Sequence, residues 1–569
     1  MPPGDDFPQL EKLKARLDAI ERRLSTLEES SRWLPPLPQA PATPTTAAPV
    51  AVEAATPSSQ PNIFAIFGRS ILGIAGAYLL RALAESHAIP QSLVVAVAVV
   101  YASAWMVWAA RSQATSRLAG WSYSVTSALI LSPMMWEVTV RFGILEPPVT
   151  AAILAASALL ALILAWRANL SSVVWVGMLA AIGTAFGLMV AARQPVPFAS
   201  TVLFAALLAE FAGCRARWPG LRFVVALAAD FAVLIMVVIL GDSAAIPQEY
   251  HPASAALMIF LVAVLFAVYA AGLAFRSLIP QLKIAVWEIA QFSVAVLLAV
   301  WAVLRITSGA GISVLGIFCL AAGAACYVAA FALRSRLRVA RNLGFYAVWA
   351  ALFVLAGSFF AIPEPALVIW FCIAAVAATS LGVRWRNPAL DLHGVGYLAG
   401  AVFASGLLAY AGRSLAGTFP PSPGGLTILA SAVAVLCAAL ISRYPGEHTG
   451  ERLLRLIPAV FAVLALAALG VTALAWLVPR GVSPSPPQLS VIRTVVTCAV
   501  ALLLAFAGAR FERTELVWMA YAAAVLGTLK IAFEDFRIGN TQSLAISLLI
   551  FGAVLILLPR LARARRQHS

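Results

Sequence analysis

From Ile63 onward the chain is a succession of apolar runs of helical length, separated by Pro, Gly and Arg. Crossing a hydrocarbon core of roughly 30 Å takes about twenty such residues in a helix. About eighteen runs meet that need, at 63–84, 91–110, 118–136, 148–166, 171–192, 197–213, 222–241, 252–275, 283–305, 310–333, 340–361, 364–383, 390–411, 424–442, 453–478, 489–508, 514–533 and 541–558. Lipid offers no water to free backbone groups, so only helices or closed barrels can span it. The runs are rich in Ala, Leu and Val with little alternation, which selects helices. The expected fold class is all-α: a polytopic transmembrane helical bundle of about eighteen spans over residues 62–560. The first span, Ile63–Ala84, sets the direction of every later one.

Hydrophobic residues make up 62% of the chain and charged residues 11%, with a mean hydropathy of +0.93. A soluble globule carries about 25% charged residues and is excluded. The formal charge of +15 would suit nucleic acid. Its bases, however, sit in short loops between the runs, which is how membrane topology is encoded. No nucleic acid partner is expected, and the lipid bilayer takes that place. Alternate loops carry Arg111 and Arg117; Arg167; Arg215, Arg217 and Arg222; Arg276 and Lys283; Arg334, Arg336, Arg338 and Arg341. The pattern continues through Arg384 and Arg386; Arg443, Arg452 and Arg455; Arg510 and Arg513, and ends in a basic tail over 561–569. This period of two predicts an even number of spans with both the N- and the C-terminus cytoplasmic. Hairpin-like periodicity runs throughout, without a residue pattern that recurs.

The first sixty residues are different. Leu10, Leu13, Leu17, Ile20, Leu24 and Leu27 alternate spacings of three and four, an a/d seam flanked by charges. This predicts a short cytosolic coiled-coil helix over 1–33, a handle for a homo-oligomer or a cytosolic partner through residues 7–32. The alternative is a lone amphipathic helix resting on the membrane surface. Residues 34–61, rich in Pro, Ala and Thr, are expected to form a disordered linker. The N-terminal stretch has no apolar h-region, so no secretory signal is expected.

Charges within apolar spans are costly and are functional candidates by default. Asp230 is the most deeply placed acid, read either as a proton-coupling carboxylate or as a buried acid with a partner on a neighbouring helix. Glu210 and Glu288 lie nearer span ends, within reach of headgroups or of an Arg in the next loop. A second group falls at the opposite ends: Arg81 with Glu85, Glu137 with Arg141, and Lys530, Glu534 and Asp535, with Arg305 and Arg537 at the same level. Residues four apart share a helix face, so each helix could satisfy its own charges. Alternatively the ends converge into one polar cavity that binds an envelope molecule. Two GxxxG pairs, Gly183 with Gly187 and Gly396 with Gly400, are read as packing.

Sequence motifs for phosphate-binding loops, zinc proteases, serine hydrolases and dinucleotide binding are missing, so no catalytic or cofactor-binding residue is named. The five histidines read as scattered through loops and ends, and the six cysteines as small hydrophobes, so no metal site is expected. An enzyme of this composition would have to work inside the membrane.

The heptad helix, the Pro-rich linker and a first span opening FGRSILGIAGAYLLRALAE together resemble the bacterial polytopic membrane family called domain of unknown function 2339. The C-terminal pair, YAAAVLGTLKIAFEDF and SLAISLLIFGAVLILLPRL, is similar too. Gly68 and Arg69 match the pair that opens the family's first span, and Lys530 with Glu534 or Asp535 matches its penultimate one. The likeness is clear at the two ends and compositional between Arg111 and Glu512. It implies a multi-pass protein of the bacterial inner (plasma) membrane, with no established activity to carry over. The leading functional expectation is transport, flipping or handling of an envelope lipid or polymer intermediate. A membrane scaffold acting through the N-terminal coil is the alternative, and an intramembrane glycosyl or acyl transferase the third.

Overall fold

A computed structural model describes residues 63–85, 90–113, 116–332, 340–416, 420–442, 449–477, 485–538 and 540–563. The heptad segment, the Pro-rich linker and the tail from 564 lie outside the described residues. Every regular element among those described is helical. In order they are α1 (Ile63–Glu85), α2 (Gln91–Gln113), α3 (Arg117–Trp136), α4 (Pro147–Ala168), α5 (Ser171–Ala191), α6 (Pro195–Cys214), α7 (Pro219–Leu240), α8 (Ala255–Leu278) and α9 (Val286–Ile306). There follow α10 (Ile312–Tyr327), α11 (Ala340–Ala361), α12 (Ala366–Trp385), α13 (Pro388–Ala404), α14 (Leu407–Ala416), α15 (Gly425–Ile441), α16 (Thr449–Trp476), α17 (Pro486–Arg510), α18 (Thr514–Lys530) and α19 (Thr541–Arg563). Helices α3, α10 and α18 each run on into a π-helical turn, at Glu137–Arg141, Val328–Ala332 and Ile531–Asp535.

Each of the eighteen apolar runs falls on helix, but not all of them make a long apolar one. Fifteen described helices are long and apolar enough to cross a bilayer, or sixteen if the bent pair α13 and α14 is one span. That pair turns by 63°. Gly406 sits between its halves at φ 68°, a left-handed conformation that glycine adopts without cost. The Ser405 carbonyl freed at the bend accepts from Thr427 Oγ1 at 3.0 Å. Helix α15 has 17 residues, and α3 carries Ser122, Ser124, Thr126 and Ser127. Ser124 and Thr126 donate to the carbonyls one turn back, and Ser127 to Ala102 O at 2.7 Å. Those hydroxyls are thereby satisfied without water.

Proline and polar caps punctuate the chain where the sequence places them. Pro147, Pro195, Pro219, Pro388 and Pro486 occupy first-turn positions, where no intrahelical N–H is needed. Ser116, Ser254 and Asn387 accept from backbone N–H groups in the first turns of α3, α8 and α13. The largest apolar core joins α1 to α9, a second joins α11 to α16, and a third ties α8 and α9 to α10 and α11. The tightest crossing is between α10 and α11. A Cβ on Gly357 would stand 2.8 Å from both Gly316 O and Leu320 N. Of the two expected GxxxG pairs, Gly187 meets Trp136 and Gly400 meets Leu355 and Phe371, whereas Gly183 faces open space.

The spacing of helices along the chain recurs in part, from α4 to α9 and from α10 to α16 with the bent α13 and α14 taken together, although α6 packs on α4 and α5 while α12 has no comparable packing on α10 or α11. Ser171 corresponds to Ala340, Pro219 to Pro388 and Ala255 to Gly425, a displacement of about 170 residues. At the corresponding hairpins the sequence recurs: Arg215, Arg217, Pro219 and Leu221 in one copy, Arg384, Arg386, Pro388 and Leu390 in the other. The next residue differs in sign, Arg222 in the first copy and Asp391 in the second. Each packs on a glycine of the preceding helix, Gly213 or Gly382.

Candidate functional site

The eight singled-out residues fall in three separate places rather than one. At the first, the C-terminal end of α1 meets that of α3. Arg81 Nη1 lies 2.9 Å from Glu137 Oε1, and Arg81 Nε lies 3.4 Å from Glu85 Oε1. Arg141 Nη1 reaches Glu85 Oε1 at 3.6 Å. Self-satisfaction at four-residue spacing therefore holds for Arg81 and Glu85 but not for Glu137 and Arg141, which pair across to α1. Both lie in the π-turn at Glu137–Arg141 that ends α3. Beneath these charges α1, α2 and α3 line a partly open cavity of about 310 Å³. Its wall is apolar, with Ala77, Val94, Ala98, Leu129 and Met134 among the lining, and Arg81 and Glu137 are its charged groups.

The second place is where the end of α18 meets the start of α17. Lys530 Nζ donates to Ser490 O at 2.6 Å, Ser490 Oγ at 2.9 Å and Thr494 Oγ1 at 2.7 Å, and pairs with Asp535. Asp535 also accepts from Ser490 Oγ and, at 3.2 Å, from Thr494 Oγ1. Beside this group Arg493 Nη1 pairs with Glu534 Oε1 at 2.6 Å, while Arg493 Nε donates to Ser414 O at 2.9 Å. Asp535 is 1% exposed and Arg493 4%, so these charges are satisfied inside protein. Ser490, Arg493 and Thr494 escaped the sequence reading. Arg493 could have been found as a base within the run at 489–508.

Asp230 marks the third place and shares it with neither of the others. Its Oδ2 accepts from Gln291 Nε2 at 2.7 Å across α7 and α9, and its Oδ1 is buried without a hydrogen-bond partner. Nearer the start of α7 the expected acids Glu210 and Glu288 meet Arg222 and Arg276 in a four-charge ring. Arg222 Nε donates to Glu210 Oε1 at 2.5 Å and Nη1 to Glu288 Oε1 at 3.0 Å. Arg276 Nη1 donates to Glu288 Oε1 at 2.6 Å, and its Nη2 lies 3.8 Å from Glu210 Oε2. The indole of Trp287 stacks 4.3 Å from the Arg222 guanidinium carbon. Arg222, Arg276 and Arg455, grouped with the loop bases in the sequence reading, are thus buried helix residues. Arg455 pairs with Glu515 at 2.8 Å. Buried charge is tolerated only when paired, and that is the physical reason for the correction. In the loop after α7, Asp242 lies 3.7 Å from Arg305 of α9, so Arg305 joins none of the three candidate places.

His393, near the start of the run at 390–411, lies within α13 and is fully buried. Its Nδ1 lies 2.9 Å from Tyr327 Oη and its Nε2 2.8 Å from Ala347 O, so the ring ties α10, α11 and α13 together. The six cysteines are free thiols, and among the described residues no group of His, Cys, Asp and Glu is arranged to hold a metal ion.

The helices and their apolar surfaces make this a multi-pass integral membrane protein. No protein-family model, no curated protein and no solved structure matches the chain.

Proposed function

We propose that the protein handles a membrane amphiphile, an envelope lipid or lipid-linked intermediate, in the cavity between α1, α2 and α3. The observation that carries this reading is the pairing of an apolar chamber with an ion pair on its wall. Small-molecule sites are mostly apolar with a few convergent polar groups, typically about 300–1,000 Å³ in volume. At about 310 Å³ the cavity holds a stretch of one acyl or isoprenyl chain, with the Arg81–Glu137 pair placed to meet a polar head. The same reading puts these charges at the outer face and the loops at Arg215 and Arg384 in the cytoplasm of a bacterium, both termini inside. Kinship with domain of unknown function 2339 rests on the residues at the two ends of the chain and agrees with that placement.

The test is photolabelling of the purified protein with a diazirine-bearing fatty acid. Labelled peptides are expected to concentrate in α1, α2 and α3. Ala98→Trp, which fills the chamber, is expected to remove that labelling while leaving lipid-facing labelling of α19 intact. Labelling spread evenly over the helices and unchanged by Ala98→Trp refutes the proposal. The heptad seam from Leu10 to Leu27 favours a second reading, a scaffold that assembles through its N-terminus.

A further inference from the structure

Arg117 is the first residue of α3, at the end opposite Glu137. A base there opposes the helix dipole, whose positive end is the N-terminus. Its side chain is exposed and meets no carboxylate among the described residues. The neighbouring helices cannot supply one, because α2, α3, α4 and α5 contain no Asp or Glu. Helix α5 begins alongside, tied to the end of α2 by a bond of 2.6 Å from Ser172 Oγ to Gln113 Oε1. Leu170 caps α5 without a side-chain oxygen, so the N–H groups of its first turn are not taken by the cap.

Between α3 and α5 runs a partly open groove of about 950 Å³. Arg117, Trp121 and Val125 stand four apart along its α3 wall, while Ser172, Trp175, Val176 and Leu179 recur at threes and fours along its α5 wall. At about 1.5 Å per residue, each wall runs about 12 Å from a polar mouth to aliphatic groups at Val125 and Leu179. The mouth is formed by Arg117, Gln113 and Ser171. Trp121 is 56% exposed and Leu179 41%, so no other part of the protein covers this surface.

We propose that the groove binds one phospholipid with a net-anionic headgroup, its phosphate between Arg117 and the start of α5 and an acyl chain along Trp121, Val125 and Leu179. Charge complementarity selects this occupant. A guanidinium without a carboxylate and a helix N-terminus both attract an anion, and a guanidinium matches phosphate in shape. Basic pockets between membrane helices take acidic head groups in this way. A zwitterionic head would bring an ammonium for which α2 to α5 offer no carboxylate, whereas a phosphoglycerol head brings only acceptors and hydroxyls. Tryptophan favours the headgroup level, and Trp121 and Trp175 sit one turn in from the mouth. This groove lies at the other end of α3 from the Arg81–Glu137 cavity and does not depend on the reading given to it.

The test is native mass spectrometry of the purified full-length protein in non-ionic detergent, titrated with phosphatidylglycerol or with phosphatidylcholine of the same chains. The wild-type protein is expected to retain one phosphatidylglycerol per chain, at a concentration about tenfold below that needed for phosphatidylcholine. Arg117→Gln should remove that preference, a loss of about tenfold, which is the worth of one charge-assisted contact. Its melting should match the wild type, because the exposed side chain holds no protein partner. Arg384→Gln, which removes an exposed base near the end of α12, should leave the preference unchanged. Val176→Phe narrows the groove with the charge intact and should weaken phosphatidylglycerol severalfold. Excess sn-glycerol 3-phosphate should not displace the lipid, since the chain contributes to its hold. Equal wild-type affinity for the two lipids overturns the proposal, as does a loss in Arg117→Gln no larger than in Arg384→Gln. Undiminished binding by Val176→Phe overturns it as well, and displacement by glycerol phosphate would assign the mouth to a free phosphate ester instead.

Discussion

Replacing Arg222 by Met isolates what the four-charge ring of α6, α7, α8 and α9 contributes. The ring contains two positive and two negative groups, each no more than 11% exposed. In the variant, Glu210 and Glu288 share Arg276 alone, and one negative charge is left without compensation. At an effective dielectric of about 20, unit charges about 3 Å apart attract by about 5 kcal/mol, before the cost of drying them. Removing one partner of such a buried pair costs about 3–5 kcal/mol. The loss is measured as the shift in chemical-denaturation midpoint in detergent, converted with an unchanged slope. Two companions decide the cause. Arg193→Ala breaks an ion pair whose side chains are more than half exposed and should cost no more than about 1 kcal/mol. Adding Glu210→Gln to Arg222→Met restores neutrality, leaving Arg276 with Glu288. The double variant should then be more stable than the sum of the singles by about 2 kcal/mol. If Arg222→Met costs no more than Arg193→Ala, or if the two ring substitutions simply add, charge balance is not what holds these helices together.

Gly357→Val should separate α10 from α11, because the added carbons meet the backbone at Gly316 and Leu320 rather than a side chain that can turn away. A loss of about 2 kcal/mol or more is expected, and a shift under 0.5 kcal/mol would contradict the close crossing. Single cysteines placed at Arg215 and at His251, tested with a membrane-impermeant thiol reagent in intact cells, should label at His251 alone, since one helix, α7, separates the two loops. Labelling of both, or of Arg215 alone, defeats the proposed orientation.

The helices were legible because lipid demands long apolar runs, and proline and glycine mark their ends. The limits of composition are equally specific. A run of apolar residues at 390–411 does not disclose that Gly406 bends it, nor do 17 residues at 425–441 disclose that α15 is short. The acids at 210 and 288 were visible as costly charges within reach of an Arg in the adjoining loop, as Arg222 and Arg276 prove to be, but the closing of the four into one ring was not. Arg222 and Glu288 are 66 residues apart, and only helix neighbourhood brings them together. The local rule of four-residue spacing succeeded at Arg81 and Glu85 and failed at Glu137 and Arg141, whose partners lie on α1.

The recurring spacing of α4 to α9 in α10 to α16 bears on how the two sides of the membrane can be told apart. Six is an even number, so when every segment crosses, the later copy re-enters with the same polarity as the earlier one. Copies of opposite polarity can trade shapes, one facing in while its twin faces out, and so alternate by symmetry. Copies of like polarity have no such trade available. Divergence such as Arg222 against Asp391 therefore distinguishes one half from the other, not inside from outside.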